Sequence, residues 1–248
     1  MYAFEFDDLT LAYQRHPALH HLSARIRRGS LTAVVGPNGC GKSTLLKAIM
    51  GELAPVEGRL LRHRLTTADI AYLPQLGSID RDFPLNAGDF LASGMWQQSG
   101  AFAGLPVGST EAIGQALAKV GLNDFERRQI GKLSGGQMQR LLFARLLLQD
   151  KPVVLLDEPF NAIDTRTAAD LMMVVTQWHG EARTVLVVTH DLDNVRAHFP
   201  ETLLLARELV AHGKTTQVLT AANMFKARQM CEAFDEAAEP CHLTRKRA

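Results

Sequence analysis

The chain has 248 residues, of which 46% are hydrophobic and 21% are charged, and its formal net charge is +1. This composition is typical of an ordered globular protein with one large domain or two lobes, and the near-neutral charge argues against a strongly basic nucleic-acid-binding protein. Three cysteines are too few for a disulfide framework. No apolar run approaches the roughly 20 residues that cross a bilayer. Residues 1–8 also lack the basic-then-apolar layout of a secretory signal, so we expect a chain that is cytosolic on its own.

The first 30 residues predict a small antiparallel sheet. Polar and apolar residues alternate in Phe4-Glu5-Phe6 and again in residues 9–13, as in strands with one exposed face. The next strand is different, because residues 31–35, Leu-Thr-Ala-Val-Val, predict a strand that is buried on both faces. We therefore expect the antiparallel sheet to flank a separate, buried core.

A glycine-rich loop follows this buried strand. Residues 36–43, Gly-Pro-Asn-Gly-Cys-Gly-Lys-Ser, fit the pattern G-x-x-x-x-G-K-[ST], and residues 45–50 after them are typical of a helix. The backbone N–H groups of such a loop, together with the positive end of the helix, bind phosphate oxygens. Lys42 would contact the β- and γ-phosphates, and the Ser43 hydroxyl would bind Mg²⁺. A loop that only turns the chain is the alternative, but the strand, loop and helix in this order favour a nucleotide site.

The nucleotide-contacting residues predicted for this loop are Gly36, Pro37, Asn38, Gly39, Cys40, Gly41, Lys42, Ser43 and Thr44. Cys40 occupies a position where the pattern allows any residue. We interpret it as a small filler rather than a nucleophile, because nothing near it in the sequence marks an activated thiolate.

The remainder of the chain predicts an α/β core interrupted by helices. Residues 76–132 carry Gly, Pro and Asn punctuation and a helical pattern of apolar residues at 112–120, which indicates a mostly helical insert. After residue 150, buried strands at 153–156 and 184–189 alternate with helices predicted at 164–178 and 191–197. Such alternation predicts a parallel sheet that is covered on both faces.

Two adjacent carboxylates end the strand at 153–156. Side chains alternate in direction along a strand, so Asp157 and Glu158 would have separate tasks. Asp157 would hold Mg²⁺, and Glu158 would polarise or deprotonate the attacking water. Paired acids at a strand end can also be solvated loop residues, but an apolar strand downstream of a phosphate loop favours the catalytic interpretation. Glu158 also favours hydrolysis over nucleotide sensing alone.

Residues 133–137, Leu-Ser-Gly-Gly-Gln, carry a family resemblance. Ser134 and Gln137 form a capping-box pattern before an apolar stripe, and a helix N-terminus with two glycines is itself an anion site. The pentapeptide resembles the signature motif of the ATP-binding cassette (ABC) ATPases, and the resemblance extends over about residues 2–220. In this family Ser134, Gly135, Gly136 and Gln137 would meet the γ-phosphate of ATP bound to the opposite subunit. The resemblance therefore implies a homodimer that closes around two Mg²⁺-bound ATP molecules and hydrolyses them.

The same resemblance implies a fold and its boundaries. We expect a P-loop NTPase core with a mostly parallel sheet, an N-terminal antiparallel β-subdomain and an inserted helical subdomain. The nucleotide-binding domain would cover residues 1–220, with a core at 1–75 and 145–220 and a helical subdomain at about 76–144. Residues 221–248 would form a C-terminal tail.

Further site residues follow only from the resemblance. Gln75 would ligate Mg²⁺ and sense the γ-phosphate, His190 would contact the γ-phosphate, and Tyr13 would stack on adenine. Without the family these three would be interpreted as a surface residue, a turn residue and a sheet residue. Asp164 matches the D-loop of the family and would couple the two subunits, but Asn161 departs from the Ser that commonly stands there.

The cargo is inferred from local similarity. Residues 74–85 and 89–94 are similar to ATPase subunits of zinc and manganese importers, and residues 158–164 favour zinc. The resemblance thus implies a subunit on the cytoplasmic face of the membrane that drives a separate permease, served by an extracytoplasmic metal-binding protein. An ATPase subunit for an iron-siderophore or cobalamin importer is an alternative, and a soluble ABC ATPase outside transport or a non-hydrolysing nucleotide switch are others.

The C-terminal segment leaves two interpretations open. Cys231, Cys241 and His242 could form a metal-sensing cluster, or they could belong to a solvated tail. Adjacent Cys241 and His242 do not have the spacing of a ligand loop, and a fourth ligand is not evident. The sequence favours the solvated tail.

Overall fold

A computed structural model describes residues 1–13, 16–78, 81, 83–95, 107–161 and 163–232. The strands are β1 (Tyr2–Tyr13), β2 (His16–Arg27), β3 (Leu31–Val35), β4 (Glu57–Arg62), β5 (Ile70–Leu73), β6 (Val153–Asp157), β7 (Thr184–Val188), β8 (Glu201–Leu205) and β9 (Leu209–Lys214). The helices are α1 (Lys42–Met50), α2 (Ala87–Ser93), α3 (Ser109–Lys119), α4 (Gly135–Gln149), α5 (Thr165–Gly180), α6 (Leu192–His198), α7 (Thr215–Val218) and α8 (Ala221–Glu232). Single 3₁₀ turns cover Thr67–Asp69, Leu76–Ser78 and Ile130–Lys132.

The chain divides into two compact units. Unit 1 comprises Met1–Thr67 and Val188–Ala248, and unit 2 comprises Ala68–Val187. None of the helices in the described ranges has the length and apolar character needed to span a membrane.

Unit 1 contains the predicted antiparallel sheet, with strand order β2-β1-β4. Phe4 pairs with Ile26 on one side and with Arg62 on the other. Phe4, Leu9 and Leu11 are fully buried, whereas charged residues such as Glu5 and Asp7 pair with arginines across the sheet. The N-terminal prediction is therefore confirmed, because one face of these strands packs inward and the other carries charge.

Unit 1 also contains the buried strand that leads into the glycine-rich loop. β3 pairs in parallel with β8, and β8 pairs antiparallel with β9. Every residue of β3 is buried, as its apolar composition predicts. The parallel pairing brings the carboxyl ends of β3 and β8 to the same edge, and the glycine-rich loop begins at this edge.

In the described part of unit 2 the strand order is β5-β6-β7, with the last residue of β7 assigned to unit 1. β5 and β6 are parallel, with Tyr72 opposite Leu155, and all residues of β6 and β7 are buried. The helical pattern predicted at 112–120 is confirmed by α3. The α/β fold class with a mostly parallel sheet is confirmed, whereas the predicted subdomain boundaries stay a prediction.

An aromatic pair anchors the helices of unit 2. The rings of Phe143 on α4 and Trp178 on α5 stack with centroids 5.7 Å apart and planes 6° from parallel. Both side chains are fully buried, and buried aromatic pairs of this kind stabilise a contact beyond the area that they cover. This contact holds the middle of α4 against α5, and the N-caps of these two helices are Ser134 and Asp164, two of the predicted site residues.

Candidate nucleotide site

The glycine-rich loop of unit 1 is shaped by close backbone contacts. Gly36 has a φ of 152°, and a Cβ atom placed on it would lie 2.0 Å from the carbonyl oxygen of Leu205. Gly41 has a φ of 96°, and a Cβ atom there would lie 2.6 Å from the carbonyl oxygen of Ala18. Only glycine fits at either position, so the loop curls tightly between β3 and α1.

Lys42 is the first residue of α1, and its ammonium lies inside this curl. The Nζ atom donates to the carbonyl oxygens of Gly36 at 2.9 Å and Pro37 at 2.8 Å, and the side chain is only 6% exposed. No side chain caps the N-terminus of α1 within the described loop, and its first turn contains no acidic residue. A helix N-terminus and a fixed cation therefore converge where the pattern predicts phosphate.

Cys40 is buried in the same loop. Its Sγ atom lies 4.0 Å from Nζ of Lys42, and burial raises the pKa of the thiol above its usual range, with Lys42 opposing in part. A buried thiol with a raised pKa is a poor nucleophile. The structure thus agrees with the interpretation of Cys40 as a filler.

Two further predicted residues lie in unit 1. Tyr13 ends β1 with 44% of its side chain exposed, and Nζ of Lys47 on α1 lies 5.8 Å from its ring centroid. His190 is exposed directly after Thr189, whose N–H donates to the carbonyl oxygen of Val34 at 3.2 Å. The buried Thr189 thereby fixes the chain beside the end of β3. Thr189 was predicted only as the last residue of the strand at 184–189, and nothing in the sequence indicates its contact with Val34.

Unit 2 carries the predicted carboxylates and Gln75. Asp157 ends β6 and is 2% exposed. Leu73 pairs with Leu156 in the parallel ladder of β5 and β6, so Asp157, which ends β6, and Gln75, which lies two residues after β5, are at the same edge of the sheet. Oxygen ligands from both residues can approach a cation at this edge of the sheet.

Glu158 has an unusual backbone. Its φ of 50° lies in the left-handed region, which L-residues adopt at a cost in conformational energy. The backbone N–H of Asn161 donates to the Glu158 carbonyl, and the Asn161 amide donates to the Glu158 carboxylate, both at 3.2 Å. A tight turn thus follows the strand and holds the carboxylate. The sequence predicts the role of Glu158 and shows the departure at Asn161, but it does not predict this contact.

The signature segment forms the predicted capping box at the start of α4. The N–H of Gln137 donates to Oγ of Ser134 at 3.2 Å, and the N–H of Ser134 donates to Oε1 of Gln137 at 3.0 Å. The carbonyl of Leu133 accepts from the Arg81 guanidinium. These contacts fix Gly135 and Gly136 in the first turn of the helix, where their N–H groups belong to its positive end.

Asp164 caps α5 and lies next to the signature turn. Its carboxylate accepts from the N–H of Thr167 at 2.9 Å and from the Thr167 hydroxyl at 2.7 Å. The hydrogen bond from the Thr167 hydroxyl is the main cause of a lowered pKa for Asp164. A Cβ atom on Gly136 would lie 3.6 Å from Oδ2 of Asp164, so the signature glycine packs directly on this cap.

Arg140 belongs to the same region and was missed by sequence analysis. Its guanidinium donates to Asp170, to Thr167 and to the carbonyl of Val120. The one sequence signal for a structural role of Arg140 was its place directly before the buried Leu141 and Leu142. Its partners lie 20 to 30 residues away in the chain, however, and only the fold brings them together.

Each unit therefore collects one part of the predicted site. In unit 1 the structure brings the phosphate loop, Lys42, Thr189 and His190 to the end of β3, with Tyr13 beside α1. In unit 2 it brings Asp157, Glu158 and Gln75 to one sheet edge and the signature turn to Asp164. Parts of other predictions lie outside the described residues. They are residues 79, 80 and 82 of the cargo-related stretch, residues 96–106 of the helical insert, residue 162 of the segment 158–164, and residues 233–248 of the tail with the pair Cys241-His242. Within the described ranges no three His, Cys, Asp or Glu residues form a metal-holding group.

This combination of fold and motifs defines a class of protein. The sequence profile of the ABC transporter family matches residues 19–161, more than half of the chain. The chain belongs to the ABC transporter family and is an ATP-binding ATPase of that family.

Individual relatives are similar over almost the whole chain. The manganese transport system ATP-binding protein MntB of Bacillus subtilis (strain 168) is 37% identical over 230 residues, covering 91% of this chain and 92% of the relative. The zinc transport system ATP-binding protein TroB of Treponema pallidum (strain Nichols) is 39% identical over 223 residues, covering 88% and 84%. A solved ATP-binding cassette, described as a dimeric post-hydrolysis state bound to ADP and phosphate, superimposes with a TM-score of 0.74 at 26% identity, covering 86% of this chain and 98% of that one.

Proposed function

We propose that this chain is the ATP-hydrolysing subunit of an importer that takes up a divalent metal through a separate membrane permease. Zinc is the first candidate and manganese the second. The observation that carries the proposal is the similarity to manganese and zinc transport ATP-binding proteins over about nine tenths of the chain. The subunit would act at the cytoplasmic face of the membrane, and an extracytoplasmic metal-binding protein would deliver the metal to the permease.

The nucleotide in this proposal is ATP with Mg²⁺. The Ser43 hydroxyl, the Gln75 side-chain carbonyl and the Asp157 carboxylate are oxygen ligands of the kind that Mg²⁺ prefers. The Asp157 carboxylate lies buried at the end of β6, where it can serve as an oxygen ligand of a cation. When bound, Mg²⁺ supplies charge neutralisation at the phosphate oxygens.

Hydrolysis then follows from how the protein residues are held. Lys42 exchanges its two carbonyl contacts for phosphate oxygens of ATP, and the first turn of α1 donates to the same phosphates. Glu158, held by Asn161, orients water and accepts its proton. His190 contacts the γ-phosphate. Ser134 and Gly136 of the second subunit complete the site, so that the proposed homodimer contains two composite sites.

Unit 2 offers a docking surface for the permease. An apolar groove lies between the end of β5, α2 and α4, and its lining residues are Tyr72, Leu73, Pro74, Phe90, Leu142, Arg145 and Leu146. Arg145 is the charged residue of this lining, and its guanidinium carbon lies 5.1 Å from the ring centroid of Phe90. Among the described residues its Nε atom has no hydrogen-bond partner. A short permease helix with apolar residues and one carboxylate fits both properties of the groove.

The groove also links docking to catalysis. It begins at Tyr72 to Pro74, directly before Gln75, and ends on α4, the helix that starts at the signature segment. A permease helix in this groove would therefore contact the two segments that respond to the γ-phosphate in our proposal. Closure of the ATPase dimer would move the permease through these contacts.

Two experiments test the proposed function. The variant Glu158→Gln should form an ATP-dependent homodimer with little turnover, and a variant that stays monomeric in excess ATP would contradict the mechanism.

Cells that lack the chain should lose uptake of radioactive zinc or manganese and recover it with the wild-type chain but not with Glu158→Gln. If uptake of both metals is unchanged, the metal assignment is wrong, and siderophore and cobalamin uptake should be measured in the same cells.

A further inference from the structure

One arginine connects three elements of unit 2. The Nη2 atom of Arg140 donates to Oδ2 of Asp170 at 2.7 Å and to the Thr167 hydroxyl at 3.2 Å, and its Nη1 atom donates to the carbonyl of Val120 at 3.0 Å. The side chain is 16% exposed. Arg140 thereby ties α4, on which it lies, to the first turns of α5 and to the end of α3. Charge-assisted hydrogen bonds of this type are about twice as strong as neutral ones.

The contacts continue from Arg140 to Asp164. The Thr167 hydroxyl accepts a hydrogen bond from Arg140 and donates its own proton to Oδ2 of Asp164 at 2.7 Å. Arginine has no acceptor and an ionised carboxylate has no donor, so the direction of both hydrogen bonds is fixed. Arg140, Thr167 and Asp164 are therefore linked by two hydrogen bonds of fixed direction.

The signature turn packs against Thr167 and Asp164. The Cβ position of Gly136 lies 3.6 Å from both Oδ2 of Asp164 and Oγ1 of Thr167. Ser134 is held in turn by its capping box with Gln137. A displacement of Asp164 or Thr167 would therefore reach Gly136 directly, since closely packed groups transmit small shifts.

We propose that Arg140 is a positioning residue that holds the signature turn and the D-loop cap at Asp164 as one rigid body. This role rests on the proposed function, in which both segments serve the ATP molecule bound by the other subunit. Arg140 does not touch ATP. It fixes Ser134 and Gly136 relative to Asp164, so that both reach the opposite subunit in the correct arrangement. Its loss should impair closure of the dimer rather than binding of ATP to the monomer.

Arg183 provides a matched control in the same unit. Its side chain is 20% exposed, it pairs with Asp150 and Glu181, and it donates to the carbonyl of Lys151 at 3.3 Å. It thus resembles Arg140 in burial, ion pairing and a backbone contact. It lies near the C-termini of α4 and α5, far along both helices from the signature turn. The variants Arg140→Met and Arg183→Met separate positioning of the signature turn from a general loss of stability.

The first test measures binding and closure separately. Arg140→Met, combined with Glu158→Gln, should bind ATP as a monomer within twofold of the parent but form the ATP-dependent dimer about tenfold more weakly. Arg140→Lys should recover part of this loss, because lysine keeps the positive charge but lacks the planar guanidinium that donates to three partners at once. Arg183→Met should leave dimer formation unchanged. Dimer formation by Arg140→Met that equals that of the parent would overturn the inference.

The second test asks which ATP site depends on Arg140. Two chains carrying Glu158→Gln are mixed, one with Lys42→Ala and the other with Arg140→Met. One composite site then combines an intact Lys42 with an intact Arg140 of the partner, and the other site lacks both. We expect about one occluded ATP per mixed dimer. The reference is a mixture of the Lys42→Ala chain with the Glu158→Gln parent, which should retain one occluded ATP. If the reference retains one ATP and the test mixture retains none, Arg140 serves the ATP site of its own subunit, and the inference is overturned.

These outcomes are distinct from a failure of the proposed function. If the Glu158→Gln chain alone does not dimerise with ATP, the proposed ATPase cycle is wrong. If it dimerises with two ATP molecules and Arg140→Met does so equally, only the role of Arg140 is wrong.

Discussion

The side-chain amide of Asn161 donates a hydrogen bond to the carboxylate of Glu158, with 3.2 Å between Nδ2 and Oε2. The two residues are three positions apart, and the backbone N–H of Asn161 also donates to the Glu158 carbonyl. Because Glu158 has a left-handed backbone, this turn sets the direction in which its carboxylate leaves the strand. Asn161, the residue that departs from the family pattern, is therefore attached to the proposed general base.

Removal of this amide should slow hydrolysis. We expect Asn161→Ala to lower kcat about three- to tenfold with little change in KM for ATP, because the base loses orientation while the phosphate loop is unaffected. The control is Asn223→Ala, which removes an amide that donates to the carbonyl of Val218 in unit 1. Steady-state ATPase kinetics check the prediction, and a rise in KM without a fall in kcat would contradict it.

A methyl group at Gly36 should disrupt the phosphate loop. The added Cβ atom would lie 2.0 Å from the carbonyl oxygen of Leu205, so the backbone of β8 or of the loop must shift. We expect Gly36→Ala to lower the free energy of unfolding by about 2–4 kcal/mol and to abolish ATP binding. In Gly180→Ala, the control, the new methyl group meets no atom within 4 Å. Chemical denaturation and nucleotide titration check both variants, and equal stability of the two would contradict the clash.

A charge change in the groove should separate ATP hydrolysis from membrane recruitment. Burial lowers the pKa of Arg145, and a partly desolvated cation of this kind favours an anionic partner. We expect Arg145→Gln to weaken, and Arg145→Glu to abolish, co-purification with the co-expressed permease, while the isolated chain keeps its ATPase activity. Arg183→Gln is the control. Recruitment that is unchanged by Arg145→Glu would exclude this groove as the docking site for a permease helix that carries a carboxylate.

Stability should fall on the acid side of neutrality because of His212 on β9. Burial is the main cause of its lowered pKa, the Arg27 charge adds to it, and Glu201 opposes it. A His whose folded pKa is depressed contributes stability above its unfolded pKa of about 6.5 and loses it as the pH falls through the folded value. His212→Gln should flatten the dependence of the melting temperature on pH below about 6.5, compared with a His179→Gln control. An unchanged slope would assign the acid sensitivity to other residues.

The features that sequence analysis predicted correctly depend on local order in the chain. The curl of residues 36–41 and the capping box of Ser134 and Gln137 use residues that lie within a few positions of one another. The buried strands β3 and β6 were equally predictable, because a continuous apolar run has few other uses in an α/β chain.

The features that it missed depend on contacts between distant residues. Val120 and Asp170 lie 20 and 30 residues from Arg140, and no spacing rule connects them. The left-handed backbone of Glu158 was also unpredictable, because a glutamate has no intrinsic preference for that region. The antiparallel pairing of β9 with β8 is a third case, since neither of these strands was predicted from the sequence.

The contacts of Lys42 have a consequence for which ligands the loop accepts. The ammonium is already bonded to two neutral carbonyl oxygens of its own loop, so an acceptor that carries negative charge competes for it better than a neutral one does. A ligand whose phosphate chain is too short to reach Nζ leaves these two bonds intact and gains no ion pair. We therefore expect the loop to discriminate by the length of the phosphate chain and to bind ADP and ATP more tightly than AMP, without any contact to the base.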